Sequence, residues 1–345
     1  MRYYFRADGN ASTGAGHLMR CLTIADELKN LPGLEKEDIC FVCADEISGA
    51  LAESGGYQTI VLHTNYRDMN QELPRLAQHL QKECPGGAPV LIVDSYYITA
   101  QYLKALRRQA HIFLLDDMAE QAYSVDCVLN YNAFATREQY RQLYEDTDTR
   151  FYAGSEYVPL RPQFRQSGYV FREQAQDILI TTGGGDHRNI AARIFETIQS
   201  PGLRYHVVTG RYHPDFEGWK YREQTCRQLY VHHDVRDMAS LMRNCDIAIT
   251  AGGTTIYELA ATGVPFLCFS YAKNQEALTE YISRTEIAGY CGAFHHNPAE
   301  TLGKMRQMMD ELTANAGIRR KMHEKERKMV DGLGAVRIAR LLTEM

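Results

Sequence analysis

Residues 9–28 read GNASTGAGHLMRCLTIADEL, a polar glycine-rich loop, one histidine, then an amphipathic helix. The helical period buries Leu18, Cys21, Leu22, Ala25 and Leu28 on one stripe and turns Arg20, Thr23 and Asp26 away from it. His17 falls in the first turn, at the positive end of the helix dipole, where imidazolium is disfavoured and the ring stays neutral. A neutral imidazole in a cleft suits a general base, which contributes about 10²–10⁴-fold to a rate. A histidine in this place can equally do no more than cap or pack the helix. Cys21 as a thiolate nucleophile is the weaker reading, because it lies on the buried stripe.

Glycine clusters follow predicted strands at STGAGH (12–17), TTGGGDHRN (181–189) and TAGGTTIYE (250–258), and each leads into a helical pattern. Glycine there lets backbone N–H groups approach a ligand, and a helix N-terminus favours negative charge. One such loop is weak evidence; the recurrence points to a phosphate-bearing ligand. No G-x-x-x-x-G-K-[ST] and no G-x-G-x-x-G occurs, so ATP hydrolysis and hydride transfer find no support. Thr255 and Glu258 have the spacing of a capping box. Alternatively, Glu258 accepts hydrogen bonds from two ribose hydroxyls while the turn of Gly252, Gly253, Thr254 and Thr255 holds a diphosphate. Spacing alone leaves both readings open. Carboxylates end strands in DSYYI (94–98) and LLDDMA (114–119), where Asp117 faces a cleft or caps a turn. His232–His233 and His295–His296 lack metal-ligand spacing, and we expect no metal centre.

Elements that could hold these residues alternate through both halves of the chain. Strands are expected at RYYFRAD, DICFVCA, QTIVLH, APVLIVDS, AHIFLLDD and DCVLNYN, with helical patterns between several of them. Around 151–173, beginning FYAGSEYVPLRPQF, Pro, Gly and aromatic residues break the rhythm and suggest a linker. Strands resume at DILITTGGG, RYHVVTG, LYVHHDV, DIAITAGG, PFLCFSY and GYCGAF, with helices from about 188, 237, 254, 274, 298 and 317. The expectation is an α/β protein of two Rossmann-like domains with parallel sheets, 1–165 and 172–345, the last helix free to cross back. In such sheets ligands bind at the carboxyl ends of the strands, so two facing domains can enclose a bipartite ligand. The charge run RRKMHEKERK (319–328) reads as a solvated helix face.

Composition excludes several classes. The net charge of −5, without Lys/Arg blocks, argues against nucleic acid as a partner. No apolar run approaches the ~18–20 residues of a membrane span, and no signal peptide opens the chain, so a cytoplasmic protein is expected. The cysteines are nine, an odd number, and scattered through apolar segments, which reads as reduced core thiols. Cys40 and Cys43 form one C-x-x-C, in a segment that looks like strand.

The series FRADGNASTGAGHLMRCLTIADEL, VDSYYI, LLDD, GSEYVPLRPQF, ITTGGGD, ITAGGTTIYELAATGVPFLCF and NQ resembles the UDP-2,4-diacetamido-2,4,6-trideoxy-β-L-altropyranose hydrolases of pseudaminic acid biosynthesis. These are relatives of the spore-coat polysaccharide proteins and, more distantly, of the N-acetylglucosaminyltransferase that makes lipid II. The resemblance runs over about 1–275, and its most specific parts are G-x-G-H-x-x-R and G-G-x-x-x-x-E. It implies a GT-B fold and a UDP-linked diacetamido-trideoxy sugar as substrate, with the nucleotide held mainly by the second domain. It implies His17 as the base for a water that attacks the anomeric carbon with inversion, and Glu258 on the ribose. Gly252–Thr255 and the Gly183–Asp186 turn, Gly184 included, would hold uridine and diphosphate. Tyr96, Asn274 and Gln275 would contact sugar and phosphate, with Gly14, Gly16, Asp94 and Arg161 completing the set. No cofactor or metal is implied, and we expect a monomer. A GT-B glycosyltransferase and a non-catalytic UDP-sugar-binding protein are the alternatives.

Overall fold

Short apolar runs become parallel strands, each bounded by turns that lead into or out of helices, as the alternation predicts. The computed structural model describes residues 1–10, 14–83, 88–165, 168–183, 186, 188–210 and 213–345. It divides into two units, Met1–Leu160 with Leu333–Met345, and Arg161–Gly332.

The first unit holds β1 (Tyr3–Ala7), β2 (Ile39–Cys43), β3 (Gln58–Val61), β4 (Val90–Asp94), β5 (His111–Leu115), β6 (Cys127–Asn130) and β7 (Arg150–Ala153). Their order is β3-β2-β1-β4-β5-β6-β7, every pair parallel. Its helices are α1 (Gly16–Leu28), α2 (Glu46–Ser54), α3 (Leu73–Glu83), α4 (Ala100–Leu106) and α5 (Arg137–Leu143). The second unit repeats the plan with β8 (Asp177–Thr181), β9 (Arg204–Thr209), β10 (Leu229–His233), β11 (Ile247–Ala251), β12 (Phe266–Ser270) and β13 (Gly289–Ala293), ordered β10-β9-β8-β11-β12-β13. Its helices are α6 (Ile190–Ile198), α7 (Phe216–Thr225), α8 (Met238–Arg243), α9 (Thr255–Thr262), α10 (Glu276–Thr285), α11 (Pro298–Ala314) and α12 (Ala316–Met329). The last helix, α13 (Gly334–Thr343), belongs to the first unit and packs on α1.

Central strands such as β1, β4, β8 and β11 are buried along their whole length, as parallel strands covered on both faces must be. The order in each sheet reverses between the first strand and the fourth, so ligand crevices open at β1/β4 and at β8/β11. The residues with chemical potential follow these strands: His17 after β1, Asp94 at the end of β4, Gly183 after β8 and Gly252 after β11. Cys40 and Cys43 lie buried and unbridged in β2, as strand residues.

Three expectations need correction. Arg150–Ala153 is a strand paired with β6, although it overlaps the stretch read as linker. Arg20 and Thr23 are buried, 8% and 5% exposed, rather than turned to solvent. Thr23 is accommodated by donating its hydroxyl to the Met19 carbonyl; the partners of Arg20 are given below. The run 319–328 is not wholly a solvated face, because Arg319 and Glu326 are fully buried. Arg319 donates to the backbone carbonyls of Leu312, Arg172 and Glu173, which offsets the burial of its charge.

Glu326 has no such compensation. Neither of its carboxyl oxygens meets a well-aligned hydrogen-bond partner among the described residues. Burial pushes its carboxyl far above the ordinary range, and the nearby Phe266 N–H only softens the effect. A carboxyl whose pKa is raised by folding favours the fold below its unfolded pKa, and that contribution is lost as pH rises through the folded value. Glu326→Met should therefore stabilise the protein by about 1–3 kcal/mol at pH 8 and by less at pH 5. Urea unfolding at the two pH values measures the gap, and a gap that does not widen with pH would contradict this account.

Candidate active site

The approach to His17 is fixed by a buried ion network. Arg6, in β1 and fully buried, donates from Nε and Nη2 to Glu72 at 2.6 and 2.7 Å, and from Nη1 to Asp8 at 2.6 Å. Asp8 accepts from the Ala44 N–H at 2.7 Å, and the Gly9 N–H donates to Ser48 at 3.0 Å. The backbone after β1 is thus tied to the start of α2. Beyond residues 11–13, which lie outside the described residues, Gly14 resumes the chain with φ of 72°, a left-handed conformation that glycine adopts without strain. Gly16 then opens α1, and Ala15, in the capping position, offers no side-chain acceptor.

His17 Nδ1 lies 2.6 Å from Asp94 Oδ1. Burial alone would raise the Asp94 carboxyl, but the Arg20 guanidinium and His17 hold it well below the usual carboxylate range. An ionised carboxylate only accepts, so Nδ1 carries the proton and donates it to Asp94. Nδ1 is also 3.0 Å from Arg20 Nη2, whose hydrogens are already directed to Asp94 Oδ1 at 2.5 Å and Asp117 Oδ2 at 2.8 Å. Nε2 of His17 therefore holds the free lone pair, and no described residue hydrogen-bonds to it. The His17 side chain is 11% exposed, and the ring edge meets Tyr96 with centroids 4.5 Å apart.

Arg20 organises the carboxylates. Its Nε reaches Asp94 Oδ2 at 2.5 Å, Nη1 reaches Asp117 Oδ1 at 3.1 Å, and Nη1 also donates to the Tyr131 hydroxyl. Being three residues from His17 on α1, it shares that face of the helix. Burial opposes its charge, yet Asp117 and Asp94 more than compensate and keep it protonated. Asp117 is therefore part of this cluster, while Asp116 forms the turn by accepting from Met118 and Ala119. Cys21 is excluded as a nucleophile, since burial and the neighbouring Asp94 carboxylate push its thiol far up. A pocket in this unit is lined by His17, Asp94, Tyr96, Asp117, Glu120 and Tyr123 among others.

The second unit gathers the other candidates. Gly252 follows β11, and a Cβ added there would lie 2.6 Å from Thr279 Cγ2 and 3.0 Å from Gln275 Cβ. Close approach of α10 requires glycine at that position, whereas Gly253 faces open space. Thr254 is the N-cap residue of α9, and its side chain makes no capping hydrogen bond. The Thr255/Glu258 capping box is thus absent. Glu258 instead pairs with Arg161 Nη2 at 3.2 Å, with its side chain 17% exposed. Burial raises the Glu258 carboxyl, and Arg161 partly opposes that rise. Gln275 accepts from the Tyr271 N–H at 2.9 Å, closing the turn before α10, while Asn274 is exposed. Gly183 follows β8 near the Tyr271 hydroxyl, and Asp186 accepts from the N–H groups of Ile190 and Ala191, which anchors the start of α6. Gly184 lies outside the described residues.

His17, Asp94 and Tyr96 thus meet in the first unit, and Arg161 with Glu258, and Gly252 with Gln275, in the second. Sequence reasoning missed Arg20 and Tyr131 as site residues. The signal for Arg20 was present in G-x-G-H-x-x-R, an arginine one helical turn after the histidine.

Two Rossmann-like parallel sheets, of seven and six strands, make this a GT-B fold. The structure of MurG from Acinetobacter baumannii superposes with a TM-score of 0.70 at 14% identity, covering 100% of this chain and 99% of that one. No family model matches the chain. It is 27% identical to the spore coat polysaccharide biosynthesis protein SpsG of Bacillus subtilis, over 98% of this chain and 97% of the relative. It is 23% identical to the UDP-2,4-diacetamido-2,4,6-trideoxy-beta-L-altropyranose hydrolase of Campylobacter jejuni, over 82% of this chain and 97% of that protein. The resemblance drawn from the motifs is borne out by these relatives. Among the described residues no helix is long and apolar enough to cross a membrane.

Proposed function

We propose that this chain hydrolyses UDP-2,4-diacetamido-2,4,6-trideoxy-β-L-altropyranose in pseudaminic acid biosynthesis, acting as a monomer. The observation that carries this reading is the His17–Asp94 pair, in which Asp94 engages Nδ1 and leaves Nε2 to accept a proton. A water on the Nε2 side gives its proton to His17 as its oxygen bonds to the anomeric carbon. The bond from that carbon to the diphosphate oxygen breaks, the configuration inverts, and UDP leaves with the electron pair. Asp94 stabilises the imidazolium formed, and Arg20 keeps Asp94 ionised and oriented.

In this reading the second unit holds UDP, with Glu258 on the ribose and the N–H groups of the Gly252–Thr255 turn on the diphosphate. Preorganised donors of this kind stabilise a leaving diphosphate most when water is excluded. Gly14, Gly16 and Tyr96 would face the sugar, and Asn274 the phosphates. The hydrolase name among the relatives supports water as acceptor. The glycosyltransferases among the solved neighbours favour a second reading, in which another hydroxyl takes the place of water.

Turnover of the UDP-sugar in ¹⁸O-water without added acceptor separates them. Label on the released sugar is the expected result. Label on the UDP phosphate would mean attack at phosphorus and would remove His17 from its assigned place. Absence of turnover without an acceptor would favour the transferase.

A further inference from the structure

The spacing of His295–His296 alone argues against a metal, but folding adds a third donor from another element. Glu276 begins α10, and both histidines follow β13, so the three residues meet at the carboxyl ends of β12 and β13. Glu276 Oε1 lies 3.1 Å from His295 Nε2 and 3.7 Å from His296 Nε2, and one ligand atom from each residue falls within 4.8 Å of the others. A tetrahedral ion bound at about 2.0–2.2 Å separates its ligand atoms by about 3.4 Å, so small side-chain shifts would complete the geometry.

Charge and hydrogen bonding point the same way. No lysine or arginine among the described residues pairs with Glu276, so a half-buried carboxylate faces two imidazoles with no fixed cation beside it. The Nδ1 of His295 is turned to the Ser270 carbonyl at 3.5 Å, an outer partner that a metal-bound imidazole commonly has. Without an ion, His295 donates its Nε2–H to the Glu276 carboxylate; an incoming cation would displace that proton, with the Ser270 carbonyl placed to accept one on Nδ1. The other cluster of this kind, His17, Asp94 and Asp117, already has the Arg20 guanidinium bonded to both carboxylates.

We propose that Glu276, His295 and His296 bind one divalent transition-metal ion of the zinc class, leaving an open coordination position. Two imidazoles and one carboxylate suit Zn²⁺ and Co²⁺ and are a poor match for Mg²⁺, which takes oxygen ligands. The ion would fasten the start of α10 to the β13 loop, directly after Asn274 and Gln275. This goes beyond the hydrolase reading and does not depend on it.

Chelator-treated, desalted full-length protein should take up one equivalent of Zn²⁺ in competition with a chromophoric chelator. Co²⁺ should give the intense visible absorption of a tetrahedral site. Glu276→Gln, His295→Gln and His296→Ala should each weaken binding by at least about 10-fold, while His17→Asn should leave it intact. His296 is largely exposed, so its substitution tests the site without threatening the fold. Failure to bind stoichiometrically, or binding that survives all three substitutions, would overturn the proposal. So would binding lost in His17→Asn, which would move the ion to the other cluster.

Discussion

His17→Asn should lower kcat by at least about 100-fold while UDP binds with unchanged affinity. Asparagine can keep a hydrogen bond to Asp94 but has no basic lone pair to take a proton from water. Because asparagine is smaller than the imidazole and keeps a partner in Asp94, the variant should fold normally, which a melting curve verifies. Asp94→Asn should fall comparably for a different reason. An amide at 2.6 Å can present its N–H to His17 Nδ1, which favours the tautomer with the proton on Nε2 and blocks the base. It also strips Arg20 of one carboxylate, so stability must be measured beside kcat; breaking a buried pair costs about 3–5 kcal/mol. Unchanged UDP affinity with both rates reduced is the signature of a base and its positioning group. Turnover of His17→Asn close to that of the parent would exclude the imidazole from the chemistry.

The sheets were readable because buried parallel strands are near-continuous apolar runs. All six strands of the second unit and six of the seven in the first stand where the sequence puts them. The exception, RFYA in β7, is a four-residue edge strand, half exposed and set among Pro, Gly and aromatic residues. Helix α7 was equally hidden, because Trp219 is its one buried residue and no apolar stripe forms. His17 and Asp94 were visible by their positions after strands. Their joining was not, since the contact spans 77 residues. Arg20 was misread for the same reason: a charge on a helix is normally solvated, and only distant Asp94 and Asp117 make its burial tolerable. Arg319 follows the same logic through backbone carbonyls. Glu258 could not be resolved from spacing, because a capping box depends on which residue occupies the N-cap, and in this chain it is Thr254.

Glu258→Ala should weaken UDP binding by roughly 30- to 150-fold, the equivalent of about 2–3 kcal/mol for hydrogen bonds to a charged acceptor. The effect should concentrate on the ribose: wild type should prefer UDP to 2′-deoxy-UDP, and the variant should not. Helix α9 should survive, because Glu258 closes no capping box, and the Arg161 left behind is 32% exposed and can be solvated. Burial lifts the Glu258 carboxyl above its ordinary range, with Arg161 only partly opposing. A protonated carboxyl loses acceptor capacity for the ribose hydroxyls, so wild-type affinity for UDP should decline as pH falls toward that raised value. In Glu258→Gln this decline should be absent. Calorimetric titration with the two nucleotides across pH measures both effects. Equal loss of affinity for UDP and 2′-deoxy-UDP, or a reduced melting temperature with affinity intact, would place Glu258 in the architecture of the unit rather than on the nucleotide.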